Sequence, residues 1–161
     1  MTRRPYWALS PHTGGTPIPS GVQLETRRRI QVHAERSYSG RFLRLDVRFR
    51  GCFCYIDAFC EPNHPTGSGL RTLGMSRDEY VQRGRATPIH LCRLRYFGGL
   101  DRWSVAFFTY SHERYEASVF PTGEVFGTPE EGFDIGAVYL RQGAVSNRGV
   151  SRRAARPRRL T

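Results

Sequence analysis

Residues 42–60 read Phe42-Leu43-Arg44-Leu45-Asp46-Val47-Arg48-Phe49-Arg50-Gly51-Cys52-Phe53-Cys54-Tyr55-Ile56-Asp57-Ala58-Phe59-Cys60. Apolar and polar side chains alternate with a period of two on both sides of Arg50-Gly51, the pattern of a half-buried β-hairpin. With Arg50-Gly51 as a two-residue loop, Phe49 faces Cys52, Val47 faces Cys54, Leu45 faces Ile56 and Leu43 faces Ala58 on one apolar side. The other side then pairs Arg44 with Asp57, Asp46 with Tyr55 and Arg48 with Phe53. A slip of one residue would set Leu43 against Asp57 and turn the apolar set to solvent. Arg at the first position of a type I′ turn is the weak point of this register.

Working outward, Val22–Ser37 reads as a helix with Leu24, Ile30 and Ala34 apolar, Arg27, Arg28 and Arg29 exposed, and Gly40 as its stop. Residues 61–75 hold Pro and Gly and read as a loop. Ser76-Arg77-Asp78-Glu79 is a capping box that should start a short helix ending near Gly84. Three strands are predicted at 89–97, 102–110 and 114–120, with a brief one at 124–126 after the turn Pro121-Thr122-Gly123. Thr128-Pro129-Glu130-Glu131 combines a capping Thr, Pro at the first helical position and a box-closing Glu. Phe133, Ile135, Val138 and Tyr139 should form the stripe that follows. Neighbouring strands on short turns imply an α+β fold: a mainly antiparallel, five- to six-stranded curved sheet with two or three short helices.

Domain organisation follows from charge. Residues 37–140 hold 12 Arg against 12 Asp plus Glu, whereas 1–36 have six Arg and two Glu and 141–161 have seven Arg and no acid. The formal charge of +11 therefore resides at the ends of the chain. We read 1–21 as a flexible leader, 22–140 as a single α+β domain, and 141–161 as a disordered Arg-rich tail. No apolar run is long enough for a membrane span, and residues 1–7 lack a secretory pattern, so a cytoplasmic protein with no membrane partner is expected.

All 25 basic residues are Arg. A GC-rich coding bias explains the absence of Lys, as does selection for planar, phosphate-binding guanidinium groups. The same absence excludes a Walker P-loop and Schiff-base catalysis, each of which needs a Lys.

Each candidate site also has a plainer reading. Cys52, Cys54, Cys60 and Cys92 with His64 and His90 suggest zinc, but C-x-C in a strand is not a knuckle, and buried Cys acts as a small hydrophobe. No metal or other cofactor is expected. His90 and Cys92 alternate in one strand and should point the same way; packing explains them better than a nucleophile pair, and no catalytic residue is assigned. Asp46 and Asp57 read as cross-strand charge matching. Arg93, Arg95 and Phe97 share one strand face, and Arg44, Arg48, Phe53 and Tyr55 share a face of the hairpin. Aromatic platforms with Arg between them suit single-stranded nucleic acid, although a filled core edged by Arg has the same pattern.

The tail residues Arg148, Arg152, Arg153, Arg156, Arg158 and Arg159, with Arg27, Arg28 and Arg29, form the expected phosphate contacts to RNA or single-stranded DNA, or to an acidic protein. The leading expectation is a non-catalytic accessory or nucleic-acid-binding protein. The alternatives are a small enzyme or ligand-binding domain with a pocket lined by His90, Arg93, Tyr96 and Trp103, and a protein–protein interaction module. Phe49-Arg50-Gly51 through Cys54-Tyr55-Ile56-Asp57-Ala58, His90 through Gly98 and Gly127 through Glu131 resemble a group of short bacterial proteins without a known activity. That resemblance covers about residues 40–140 and implies a domain boundary only.

Overall fold

The computed structural model describes residues 10–140. Five strands, β1 (Arg44–Arg50), β2 (Phe53–Phe59), β3 (Ile89–Tyr96), β4 (Trp103–Thr109) and β5 (Arg114–Ser118), pair antiparallel in sequence order as an open sheet. Helices α1 (Ser20–Tyr38) and α4 (Pro129–Gly136) cover one face, while α2 (Gly67–Leu73) and α3 (Arg77–Ala86) lie between β2 and β3. The expected α+β fold is the fold observed. The brief strand at 124–126 is absent; Trp103 and Gly127 instead form an isolated bridge.

The first hairpin departs from the expected register by two residues. Phe49 opposes Cys54, Val47 opposes Ile56, and Arg50 opposes Phe53, so the loop is Gly51-Cys52. Gly51 takes φ 59°, supplying the positive φ that a type II′ loop requires at its first position. Arg50 thereby stays extended. A shift by an even number preserves the faces: Val47, Cys54 and Ile56 remain in the core.

Helix α1 buries Thr26, Ile30, Ala34 and Tyr38, a ladder of i, i+4 steps. Leu24, expected within the stripe, is exposed because its place on the inner face goes to Thr26. Helix α4 opens on the predicted box: Thr128 Oγ1 accepts from the Glu131 N–H, and the Glu131 carboxylate accepts from the Thr128 N–H. Its inner side is Phe133 and Gly136, continued by Ala137 and Leu140, whereas Val138 points outward. Phe133 meets Tyr38 edge-on at 5.4 Å between centroids. Polar contacts lock α1 to α4. Arg29 forks onto both oxygens of Glu130 at 2.7 Å, and Asp134 Oδ1 takes His33 at 2.7 Å and the Tyr38 hydroxyl at 2.8 Å.

The segment 61–75, read as a loop, contains α2, with Thr66 Oγ1 accepting from the Gly69 N–H and Gly74 ending it at φ 64°. Its two glycines concealed a helix that a cap at each end is sufficient to start and stop. Helix α3 has the predicted Ser76–Glu79 box but runs on to Ala86 past Gly84, which lies against Pro62.

Strand β3 carries a bulge that decides which side chains meet. Ile56 opposes Cys92, yet Asp57 opposes His90, leaving Leu91 as the extra residue. Leu91 and Cys92 are both fully buried. Two successive residues on the core side mean that His90 emerges on the other face. The helix rides directly on this bulge: a Cβ on Gly136 would lie 2.7 Å from the Leu91 carbonyl carbon, backbone that cannot yield.

Candidate nucleic-acid interface on the helix-free face

The face of the sheet away from α1 and α4 carries the odd-numbered positions of β2 and the even-numbered positions of β1. Arg48 lies opposite Tyr55, which in turn opposes Arg93. Along β4 and β5, Phe108 opposes Tyr115 and Ala106 opposes Ala117. Arg44, Arg48, Phe53 and Tyr55 share a face of the hairpin as expected, and pairing of β2 with β3 brings Arg93 and Arg95, read as a separate group with Phe97, onto that same face.

One end of this face is covered by the segment read as a leader. Arg93 Nη2 donates to the Pro11 carbonyl, Arg95 Nη1 to the Thr13 carbonyl, and the Thr16 N–H to the Tyr96 carbonyl at 2.9 Å. Beneath Pro11 only a gap of about 10 Å³ remains, bordered by Arg93, Arg95 and Ser104. Gly15, at φ 89°, passes so close that a Cβ would stand 3.0 Å from the Tyr96 carbonyl oxygen. The described part of the leader, residues 10–19, is thus packed against the domain, and Ile18 is buried. Its Pro and Gly content, read as flexibility, serves close approach to a sheet. Burial lowers the pKa of Arg95, whose Nε also donates to Ser104 Oγ at 3.2 Å.

Among the described residues nothing covers the other end, which is aromatic. Tyr55 meets Tyr115 edge-on at 5.8 Å, Tyr115 meets Phe108 at 5.2 Å, and Phe108 meets Tyr110 at 4.9 Å. Phe53, Tyr55, Phe108 and Tyr115 are half-buried, and Tyr110 is exposed. The Arg93 guanidinium lies 4.3 Å from the Phe53 centroid and 4.9 Å from that of Tyr115. Arg44 stacks on Phe59 at 3.5 Å. Burial pushes the phenol of Tyr115 well above its ordinary value, with Asp57 adding to the shift.

At the centre of the open end is Asp57, 2% exposed. Its Oδ2 accepts from Arg48 Nη2, and its Oδ1 lies 2.9 Å from His90 Nδ1. Arg48 Nε also pairs with Asp46 at 3.1 Å, so one guanidinium bridges two carboxylates that oppose each other across β1 and β2. The expected match of Arg44 to Asp57 fails with the two-residue register shift. The His90 ring tilts against Phe108 at 4.8 Å, and the backbone N–H of His90 donates to the Tyr110 hydroxyl at 2.8 Å.

Several predicted groupings come apart. Tyr96 and Trp103 lie on the helix-covered face, 6% and 0% exposed, so the pocket of His90, Arg93, Tyr96 and Trp103 does not exist. The His90–Cys92 pair is likewise split by the bulge. Arg27 donates to the Val47 carbonyl at 3.1 Å, Arg28 pairs with Glu25 at 2.7 Å, and Arg29 is held by Glu130 and Asp101, which leaves Arg29 little freedom for phosphate. Arg148, Arg152, Arg153, Arg156, Arg158 and Arg159 lie outside the described residues. The sequence reading missed Phe108, Tyr110 and Tyr115 and the Asp57–His90 contact. Alternation alone would have placed the three aromatics; the contact needed the bulge.

Among the described residues no cluster of His, Cys, Asp and Glu is arranged to hold a metal ion. Cys54 and Cys92 are fully buried, and burial raises both thiols. Cys52 and Cys60 are half-buried. In native protein near pH 8, a chromogenic disulfide reagent should modify Cys52 and Cys60 and leave Cys54 and Cys92 unmodified until denaturant is added. Four thiols reacting together in native buffer would contradict the packing. No helix among the described residues is long and apolar enough to cross a membrane.

No family model matches this chain, and no curated protein or solved structure is significantly similar to it. The reading of function therefore rests on the site itself.

Proposed function

We propose that the protein binds single-stranded nucleic acid, RNA or single-stranded DNA, across the open end of the helix-free face, with the Arg-rich ends of the chain adding phosphate affinity. The observation that carries this reading is the run of half-exposed rings Tyr55, Tyr115, Phe108 and Tyr110, bordered by guanidinium groups of Arg44 and Arg48. Unstacked bases find flat partners in such rings whatever their sequence, and cations beside the rings offset the backbone charge. A duplex keeps its bases stacked and offers none for these rings to stack on.

Charge supports the same choice. Arg44, Arg48 and Arg50 occupy even-numbered positions of the outer strand β1, on this face, and their side chains reach solvent. Arg48 pairs with both Asp46 and Asp57, which offsets one of the two carboxylate charges on this face.

Tyr55→Ala should weaken binding of a short fluorescent RNA or DNA strand about 5- to 100-fold, the range expected for one lost base stack. Tyr55→Phe keeps the ring and should bind within about twofold of the parent, since stacking needs the π-face and not the hydroxyl. Fluorescence anisotropy reads both. Equal affinity for the Ala variant and the parent would end the assignment of this face.

A further inference from the structure

We propose that the open end of the sheet is also a ribonuclease centre, in which His90 acts as general base on the ribose 2′-hydroxyl of a bound RNA strand. This inference rests on the binding reading above and extends it from affinity to chemistry.

The geometry begins with the bulge. By placing both Leu91 and Cys92 in the core, it turns His90 to the aromatic face, where Asp57 meets its Nδ1 at 2.9 Å. The carboxylate is buried and is anchored from its other oxygen by Arg48, so it cannot rotate away. Phe108 lies against the ring at 4.8 Å. The imidazole is therefore held on one edge and one face, and its Nε2 has no hydrogen-bond partner among the described residues. His90 as a side chain is 36% exposed. An orienting acid behind a half-exposed imidazole is the arrangement by which a His accepts a proton from a group outside the protein.

The surroundings narrow the reaction. The His90 ring meets Asp57 and Phe108, its backbone N–H meets Tyr110, and no Ser, Thr or Cys among the described residues is bonded to the ring. Both oxygens of Asp57 are engaged, Oδ2 by Arg48 and Oδ1 by His90. A base without a protein nucleophile acts on water or on a nucleophile that the substrate brings. Single-stranded RNA brings one, the 2′-hydroxyl adjacent to each phosphodiester, and DNA does not.

The step balances within the substrate. Nε2 takes the 2′-hydroxyl proton as the 2′-oxygen forms a bond to phosphorus, and the bond from phosphorus to the 5′-oxygen breaks. The departing 5′-oxygen takes a proton from water, and His90 then returns its own to solvent. The products are a 2′,3′-cyclic phosphate and a 5′-hydroxyl, with nothing oxidised or reduced. Arg48 Nη1, without a partner among the described residues, is placed to meet the charge on the phosphate oxygens. Asp57 acts through His90 and is a positioning residue.

The test uses full-length protein, a chelator in the buffer, and two fluorescent strands: DNA with one internal ribonucleotide, and the same strand fully deoxy. Cleavage should occur at the ribonucleotide only and yield the cyclic phosphate by mass spectrometry. His90→Gln should slow it about 100- to 10,000-fold while binding the all-deoxy strand as the parent does. Asp57→Asn should lower kcat with KM unchanged, and added imidazole should restore part of the activity of His90→Ala. Cleavage at the same rate by the parent and His90→Gln would overturn the proposal, as would no cleavage of a strand that demonstrably binds. Binding of the all-deoxy strand in that second case leaves the affinity reading standing, so the two failures are distinguishable.

Discussion

Trp103→Ala is expected to lower the free energy of unfolding by about 3–5 kcal/mol. The indole is fully buried, stacks at a tilt on Tyr96 with 4.9 Å between centroids, and donates from Nε1 to the Leu100 carbonyl at 2.9 Å. Its backbone also exchanges two hydrogen bonds with Gly127, at 3.1 and 2.9 Å, which ties the start of β4 to the chain entering α4. Truncation leaves a void where sheet, turn and helix meet, and Gly127 cannot close it because Phe120 already lies against that glycine. Domains are commonly stable by only about 5–15 kcal/mol, so this single change removes a large share. Urea unfolding followed by far-UV circular dichroism should show the midpoint falling with the slope retained. Trp103→Phe, which keeps much of the volume and loses the N–H donor, should cost well under half as much. A loss below about 1 kcal/mol for the Ala variant would mean that the indole is not the packing centre described.

The largest effect on binding is expected from removing residues 141–161, which carry seven Arg and no acid. If about six of these neutralise phosphates, the tail should contribute roughly −4 to −5 to the slope of log affinity against log salt in full-length protein. Between 50 and 200 mM salt this corresponds to a loss of roughly 500-fold. Protein ending at Leu140 should show a slope of roughly −1 to −2, set by the sheet-face arginines, and much weaker binding at low salt. The truncation removes none of the described core, which runs from Ile18 to Leu140. Identical affinities at low salt for the two lengths would remove the tail from the mechanism. Nucleic acid bound by neither length would remove the whole reading.

Much of the architecture was legible because it depends on neighbours in sequence. The Ser76 and Thr128 boxes are each complete within four residues, and both form as read. Period-two alternation placed β3, β4 and β5 within a residue or two of their ends. Apolar periodicity was less reliable at Leu24 and Val138, both exposed, because which side of a helix faces inward is settled by what it packs on. The hairpin faces were right and its register was not. Moving the turn by one residue along each strand leaves every face unchanged, so alternation cannot detect the error; the backbone demand for Gly at the first loop position decides it.

By itself the sequence determined the fold class, the sites of the caps, the presence of an aromatic and Arg-bearing strand face, and the segregation of charge to the ends of the chain. Each is a property of composition or of spacing under about five residues. Tertiary structure alone decided which end of that face is open, that residues 10–19 cover the other end, and that Asp57 meets His90. The cause is one unpaired residue, Leu91, whose burial against α4 reverses the direction of every side chain before it in β3. No local pattern marks that residue, because a bulge is a compromise between a strand and the helix packed upon it.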